Sequence, residues 1–196
     1  MNKFAQIISV IFHPAILIIF LPFFIIYGQT LNIVYAFKWQ IISSCFVFFV
    51  GVMVWVGEKR GIFSDADLSK RKERGKFYSI VGIILTAYII LVVVLEGILS
   101  TPVIIGFGGL LTILIFSFFN HIFKISVHSG AAAAFASTLG ILYGFYVFMI
   151  VVWVLPLVIW ARLVLKKHTL GEALSGSLIG GIITIVTYFV GRSLMF

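Results

Sequence analysis

Residues 129–165, SGAAAAFASTLGILYGFYVFMIVVWVLPLVIWARLVL, form the longest apolar stretch of the chain. An α-helix rises about 1.5 Å per residue, so this run is nearly twice as long as a bilayer core of about 30 Å requires. Its middle contains the sequence LYGFY, and Pro156 follows further along. The stretch therefore predicts two membrane helices joined by a tight connection near residues 144–148, rather than one tilted span.

Shorter apolar runs occur on both sides of this stretch, near residues 7–27, 38–57, 77–98, 102–119 and 170–190. The composition is 62% hydrophobic and only 10% charged, which leaves too few polar side chains to cover a water-soluble core. The first run is too long for a signal-peptide core and is interpreted as a retained span. We predict an all-α, polytopic membrane bundle of six to seven transmembrane helices, with residues 1–196 forming a single domain.

The chain is strongly basic, with a formal net charge of +8, but its bases lie in short segments between apolar runs. This arrangement favours membrane lipids and phosphate groups as partners and argues against nucleic acid. The single cysteine, Cys45, lies within an apolar run, so an internal disulfide is excluded.

Three polar segments interrupt the apolar runs, at residues 57–76, 120–130 and 161–172. An even number of predicted spans separates each from the next, so all three are expected on one face of the membrane. With seven spans the N-terminus shares that face, which then carries twelve of the 14 Lys and Arg residues, all except Lys38 and Arg192. The positive-inside rule favours a cytosolic location for this face, with a periplasmic location as the alternative.

The third polar segment contains a histidine and a glutamate four residues apart, His168 and Glu172. On a helix that begins near Thr169 this spacing allows a hydrogen bond between the two side chains. A carboxylate on one ring nitrogen fixes the tautomer and makes the other nitrogen a better nucleophile or base. Arg162 precedes them with a guanidinium suited to phosphate, although a helix end anchored at the headgroups also explains such bases.

The second segment contains Lys124, Ser126, His128, Ser129 and Gly130. A helix that begins near Ser129 would present its free N–H groups and positive dipole end to an anion, with His128 at the rim. The other two histidines, at positions 13 and 121, are interpreted as interfacial polar residues.

The segments together resemble the three signature motifs of the type 2 phosphatidic acid phosphatase (PAP2) superfamily. The third motif of that family is Ser-Arg, five residues, His, three residues, Asp; Arg162, His168 and Glu172 keep this spacing, with Ala161 in place of the Ser. The second motif is Pro-Ser-Gly-His, and KISVHSG keeps a Ser, a His and a Gly in altered order. The first is Lys, six residues, Arg-Pro, and here Gly75 follows Arg74 while the lysine position is Asp67.

The resemblance implies a membrane-embedded lipid phosphatase that works through a phosphohistidine intermediate, without a metal or cofactor. It implies His168 as nucleophile, oriented by Glu172, and His128 as the acid that protonates the leaving lipid oxygen. The implied phosphate-binding residues are Arg162, Arg74, Lys70, Arg71, Lys124, Ser126, Ser129 and Gly130. Phosphatidic acid, phosphatidylglycerol phosphate and a polyprenyl diphosphate all fit this chemistry as substrates.

Two other classes of function remain open from the sequence. A metal-dependent prenyl or lipid transferase could use Asp65 and Asp67 to hold Mg²⁺ on a diphosphate, although no second acidic cluster accompanies this pair. A non-catalytic member of the family, acting as a transporter or scaffold, would also fit the altered first motif. Phosphate release in the presence of a chelator separates the two enzyme classes.

Overall fold

The computed structural model describes residues 2–65 and 67–195, and the prediction of an all-α membrane bundle is confirmed. The described residues form nine helices, which are α1 (Lys3–Ile11), α2 (Pro14–Thr30), α3 (Ile33–Lys59), α4 (Arg71–Glu96), α5 (Thr101–Ile122), α6 (Val127–Tyr143), α7 (Phe145–Val151), α8 (Val154–Val164) and α9 (Leu170–Met195). Six helical segments are long and apolar enough to cross a membrane, because α1 with α2 and α7 with α8 each form one segment.

The long apolar stretch divides as the sequence predicts. Gly144 separates α6 from α7 with a φ of +92°, a backbone conformation that residues other than glycine rarely adopt. The helix before it, α6, has 17 residues, so it is shorter than the six long segments although it is also apolar. Six long segments and this shorter helix agree with the predicted six to seven spans.

The first segment contains a break at His13 and Pro14. Proline disfavours a helical conformation at the residue before it, so α1 ends at Ile11 and α2 begins at Pro14. The His13 side chain caps the new helix, with Nδ1 accepting a hydrogen bond from the Ala15 N–H at 3.2 Å. By contrast, Pro22 lies inside α2 without ending it.

Helix α6 lies among α2, α7, α8 and α9, and small residues allow its close contact with α9. A Cβ at Gly176 would overlap the carbonyl oxygen of Ser126, and one at Gly180 would overlap that of Gly130. The two backbones therefore touch at these positions, an arrangement that glycine permits in membrane helices. This contact sets the start of α6 beside the start of α9, where the candidate site lies.

Candidate active site

His168 and Glu172 are paired at the start of α9. Nδ1 of His168 lies 2.9 Å from Oε2 of Glu172, and the imidazole is almost fully buried. The same carboxylate oxygen accepts the Thr169 N–H at 3.1 Å, while Thr169 Oγ1 accepts the Glu172 N–H at 3.3 Å. This reciprocal pair is a capping box, so Glu172 both starts the helix and holds the histidine.

The surroundings of His168 favour its neutral form. Burial lowers the pKa of this imidazole to about 4, and the positive charges of Lys124, Arg74 and Arg162 act in the same direction. The hydrogen bond to Glu172 opposes the shift without cancelling it. At neutral pH the ring is uncharged, with Nδ1–H donating to the carboxylate and an unprotonated Nε2 left for chemistry.

Arg162, in the last turn of α8, is 2% exposed. Its Nη1 donates to Ser9 Oγ at 2.9 Å and to Asp67 Oδ2 at 3.3 Å, and Lys167 Nζ lies 3.4 Å from the same carboxylate oxygen. Burial alone would raise the pKa of Asp67, but the two cations outweigh it and lower that pKa. The Arg162 Nε–H is buried and has no hydrogen-bond partner among the described residues.

Arg74 and Lys124 join the three polar segments through main-chain carbonyls. Arg74 donates from Nε to Leu68 O at 2.8 Å and from Nη1 to Ile125 O at 2.7 Å. Lys124 Nζ donates to Lys167 O at 2.8 Å, and burial together with the charge of Arg74 lowers its pKa. These contacts place the three segments at one end of the bundle, beside His168.

Lys70 and Arg71 do not join this cluster as the structure places them. The Lys70 side chain is largely exposed, 3.8 Å from Glu73 Oε1. Arg71 donates to the carbonyls of Asn120 and His121 at the end of α5. The base that contacts Asp67 from a loop is instead Lys167, which was not among the predicted site residues.

Helix α6 begins at Val127 rather than near Ser129, with Ser126 as its N-cap. Ser126 Oγ accepts the Ser129 N–H at 3.3 Å, and Ser129 Oγ donates to Ala173 O at 2.9 Å. A Cβ at Gly130 would overlap the ring of Phe116 and crowd the carbonyl oxygen of Gly176. Of these three predicted phosphate ligands, Ser126 therefore caps α6, while Ser129 and Gly130 contact α9.

His128 is the second residue of α6 and so lies within its first turn, whereas the prediction placed it just before the helix. It is 5% exposed, and its Nε2 has no hydrogen-bond partner among the described residues. The ring of His13 packs edge-on against it with centroids 5.0 Å apart. His13, interpreted from the sequence as interfacial, thus belongs to the site, and its position within a membrane segment is the signal that could have identified it.

No family model, curated protein or solved structure matches the chain. The likeness to the lipid phosphatases therefore depends on the motifs and on the geometry of the residues that carry them.

Proposed function

We propose that the protein is a membrane-embedded lipid phosphatase that forms a phosphohistidine at His168. The observation that carries the proposal is the Nδ1 contact of 2.9 Å with Glu172, made by a buried imidazole whose lowered pKa keeps it neutral. A neutral histidine held by a carboxylate and surrounded by cations is suited to attack an anionic phosphorus centre.

In the first step Nε2 of His168 attacks phosphorus in line, forming the N–P bond as the bond from phosphorus to the lipid oxygen breaks. The phosphoryl group brings negative charge beside His128, so that ring takes up one proton from water as the substrate binds. His128 then transfers its proton to the leaving oxygen, and the lipid departs as a neutral alcohol or as a shorter phosphate ester.

In the second step water attacks the phosphohistidine. His128, now neutral, takes a proton from the water as the new P–O bond forms and the N–P bond breaks. Inorganic phosphate leaves, the proton on His128 returns to water, and His168 returns to its neutral state with its hydrogen bond to Glu172. Both steps use only side chains of this chain, lipid phosphate and water, so the proposal requires no metal or cofactor.

Arg162 is the proposed main contact to the phosphoryl oxygens. Its Nε–H is a buried donor without an acceptor, which costs about 1 to 3 kcal/mol unless a ligand supplies one. Its Nη1 already holds Asp67, so a phosphate must displace that carboxylate or share the guanidinium with it. In the resting site the Asp67 carboxylate therefore occupies the guanidinium contact that a phosphate oxygen would make.

The substrate is proposed to be a lipid because the cluster lies at one end of a bundle whose outer surface is apolar. Large hydrophobic side chains are exposed along most helices, for example Phe48 at 68% and Val94 at 77%. A phosphate group attached to an acyl or prenyl tail can reach the cations while its tail stays in the hydrocarbon.

We propose a cytosolic orientation for the site, on the face that also carries the N-terminus. A cysteine at the exposed Lys72, in a Cys45→Ala background, would react with an impermeant maleimide only after cell lysis. The matched variant Leu99→Cys, in the exposed connection between α4 and α5, would react in intact cells. The reverse pattern would place the site outside.

Release of inorganic phosphate from detergent-dispersed lipids tests the proposed function. The panel contains phosphatidic acid, phosphatidylglycerol phosphate and a polyprenyl diphosphate, each with the wild type and with His168→Ala. His121→Ala is the matched control because His121 is exposed at the end of α5. The proposal is supported if the wild type and His121→Ala release phosphate from at least one lipid and His168→Ala does not. If no lipid releases phosphate, the proposal is contradicted and a non-catalytic role is favoured.

A further inference from the structure

Three side chains from different parts of the chain converge beside the Arg162 guanidinium. His13 comes from the break between α1 and α2, Asp67 from the loop between α3 and α4, and His128 from the first turn of α6. One nitrogen or oxygen atom from each lies within 4.8 Å of the other two. Two imidazoles and a carboxylate at such distances are a donor set typical of divalent transition metals.

A hydrogen bond fixes the orientation of the His13 ring in a way that suits metal binding. Because Nδ1 accepts the Ala15 N–H, the ring is held in place and Nε2 is the nitrogen that remains open to a further partner. A backbone hydrogen bond on one ring nitrogen commonly orients the other toward a metal.

His128 supplies the second, independent observation. Its Nε2 is buried and has no hydrogen-bond partner among the described residues, within a ring that is 5% exposed. Leaving such an atom unpaired is unfavourable, and a metal ion in contact with it removes the penalty. The edge-on contact with His13, 5.0 Å between ring centres, keeps the two rings close enough to share one ion.

Asp67 completes the set and balances part of the ion's charge. Only its Oδ2 is engaged by Arg162 and Lys167, which leaves Oδ1 for a metal. These two cations will weaken binding by electrostatic repulsion, so the ion must gain most of its affinity from the two imidazoles. The ligand atoms of a tetrahedral ion lie about 3.4 Å apart, because each metal–nitrogen bond is about 2.0–2.1 Å long. Small side-chain rotations would bring the three atoms, now within 4.8 Å of one another, to that separation.

We infer that His13, Asp67 and His128 bind a divalent transition-metal ion of the Zn²⁺ class, with water completing its coordination. Mg²⁺ and Ca²⁺, which prefer oxygen ligands, are excluded by the two imidazoles. Binding itself does not depend on the proposed phosphatase activity, because neither His168 nor Glu172 takes part. Metal and phosphoryl transfer would compete, however, since both use His128.

Titration of the chelator-treated, detergent-solubilised full chain with Co²⁺ tests the site. Tetrahedral Co²⁺ with nitrogen ligands gives visible absorption bands, and Zn²⁺ should abolish them by displacement. The informative variant is His13→Asn, because asparagine caps a helix well and so keeps α2 intact while it removes the imidazole. The matched control is His121→Asn, at an exposed position.

We expect saturable bands in the wild type and in His121→Asn, and affinity at least about 100-fold weaker in His13→Asn, because altering even an outer partner of a ligand costs about 10- to 100-fold. A second variant, Asp67→Asn, should also weaken binding, which covers the case in which His13→Asn does not fold. Absence of saturable bands in the wild type, or equal affinity in the wild type and both ligand variants, overturns the inference. Neither result bears on phosphate release, which is assayed separately.

Discussion

Nη1 of Arg162 lies 3.3 Å from Oδ2 of Asp67, so the signature arginine of the site faces a carboxylate of its own chain. The third motif and the altered first motif are therefore in direct contact. The position that the first PAP2 motif gives to a lysine is Asp67 here, and the base beside that carboxylate is Lys167, from the segment after α8. An acid held between two bases satisfies them until an anionic ligand arrives.

The first prediction concerns this internal anion. Asp67→Asn removes the charge with which a phosphate must compete, so inorganic vanadate or phosphate should bind about five- to tenfold more tightly, the effect of about 1 to 1.4 kcal/mol. Inhibition constants and ligand-induced shifts of the apparent Tm provide the measurement. Asp65→Asn is the matched control, because Asp65 accepts hydrogen bonds from Ser69 instead. Equal or weaker anion binding in Asp67→Asn would show that the carboxylate does not compete.

The second prediction separates the two roles of Glu172. Glutamine can replace glutamate in a capping box, so Glu172→Gln should keep the start of α9 while it removes the charge that orients His168. We expect kcat to fall by about 10³- to 10⁴-fold with KM nearly unchanged, and Glu172→Asp to be milder.

Thr169→Ala is the complementary variant because it removes the cap hydroxyl but leaves the carboxylate on His168. It should lower the apparent Tm by more than it lowers kcat. A Gln variant with wild-type kcat would remove Glu172 from the proposed mechanism and leave it as a helix cap.

The third prediction concerns pH and stability. Folded His168 has a pKa of about 4 against 6.5 for an ordinary histidine, so between these values the unfolded chain binds a proton that the folded protein does not. Stability from this group is therefore complete above pH 6.5 and is lost as the pH falls toward 4. Apparent Tm values over this range should fall more steeply for the wild type than for His168→Gln. His121→Gln, which alters an exposed ring, should follow the wild type, and parallel curves for all three proteins would contradict the neutral, buried state of His168.

The fourth prediction concerns metal ions. Phosphate release should persist in excess EDTA, because the proposed steps use only side chains and water. Added Zn²⁺ should inhibit by occupying His128, and His13→Asn should be less sensitive to it than His121→Asn. Loss of activity in EDTA with recovery in Mg²⁺ would instead favour the transferase that uses Asp65 and Asp67.

Most helices were predictable because the apolar runs and the glycine in LYGFY are local signals. The break before Pro14 was not predicted, because the first apolar run is continuous in hydropathy and was interpreted as one span. The pairing of His168 with Glu172 was also visible, since both residues lie within one helical turn. The contact between His13 and His128 was not, because it depends on how α2 packs on α6, 115 residues further along the chain. For the same reason the sequence could not show that Arg71 turns to the end of α5 or that Lys167 faces Asp67.

The most direct test of the central claim is detection of a phosphoenzyme on His168. The protein is mixed with a lipid phosphate in EDTA, quenched at alkaline pH, where phosphohistidine survives, and mapped by mass spectrometry. We predict a phosphorylated peptide with the group on His168, present in the wild type and in His121→Ala and absent in His168→Ala, which also releases no phosphate. Phosphate release that continues in His168→Ala at a rate near that of the wild type would contradict the account.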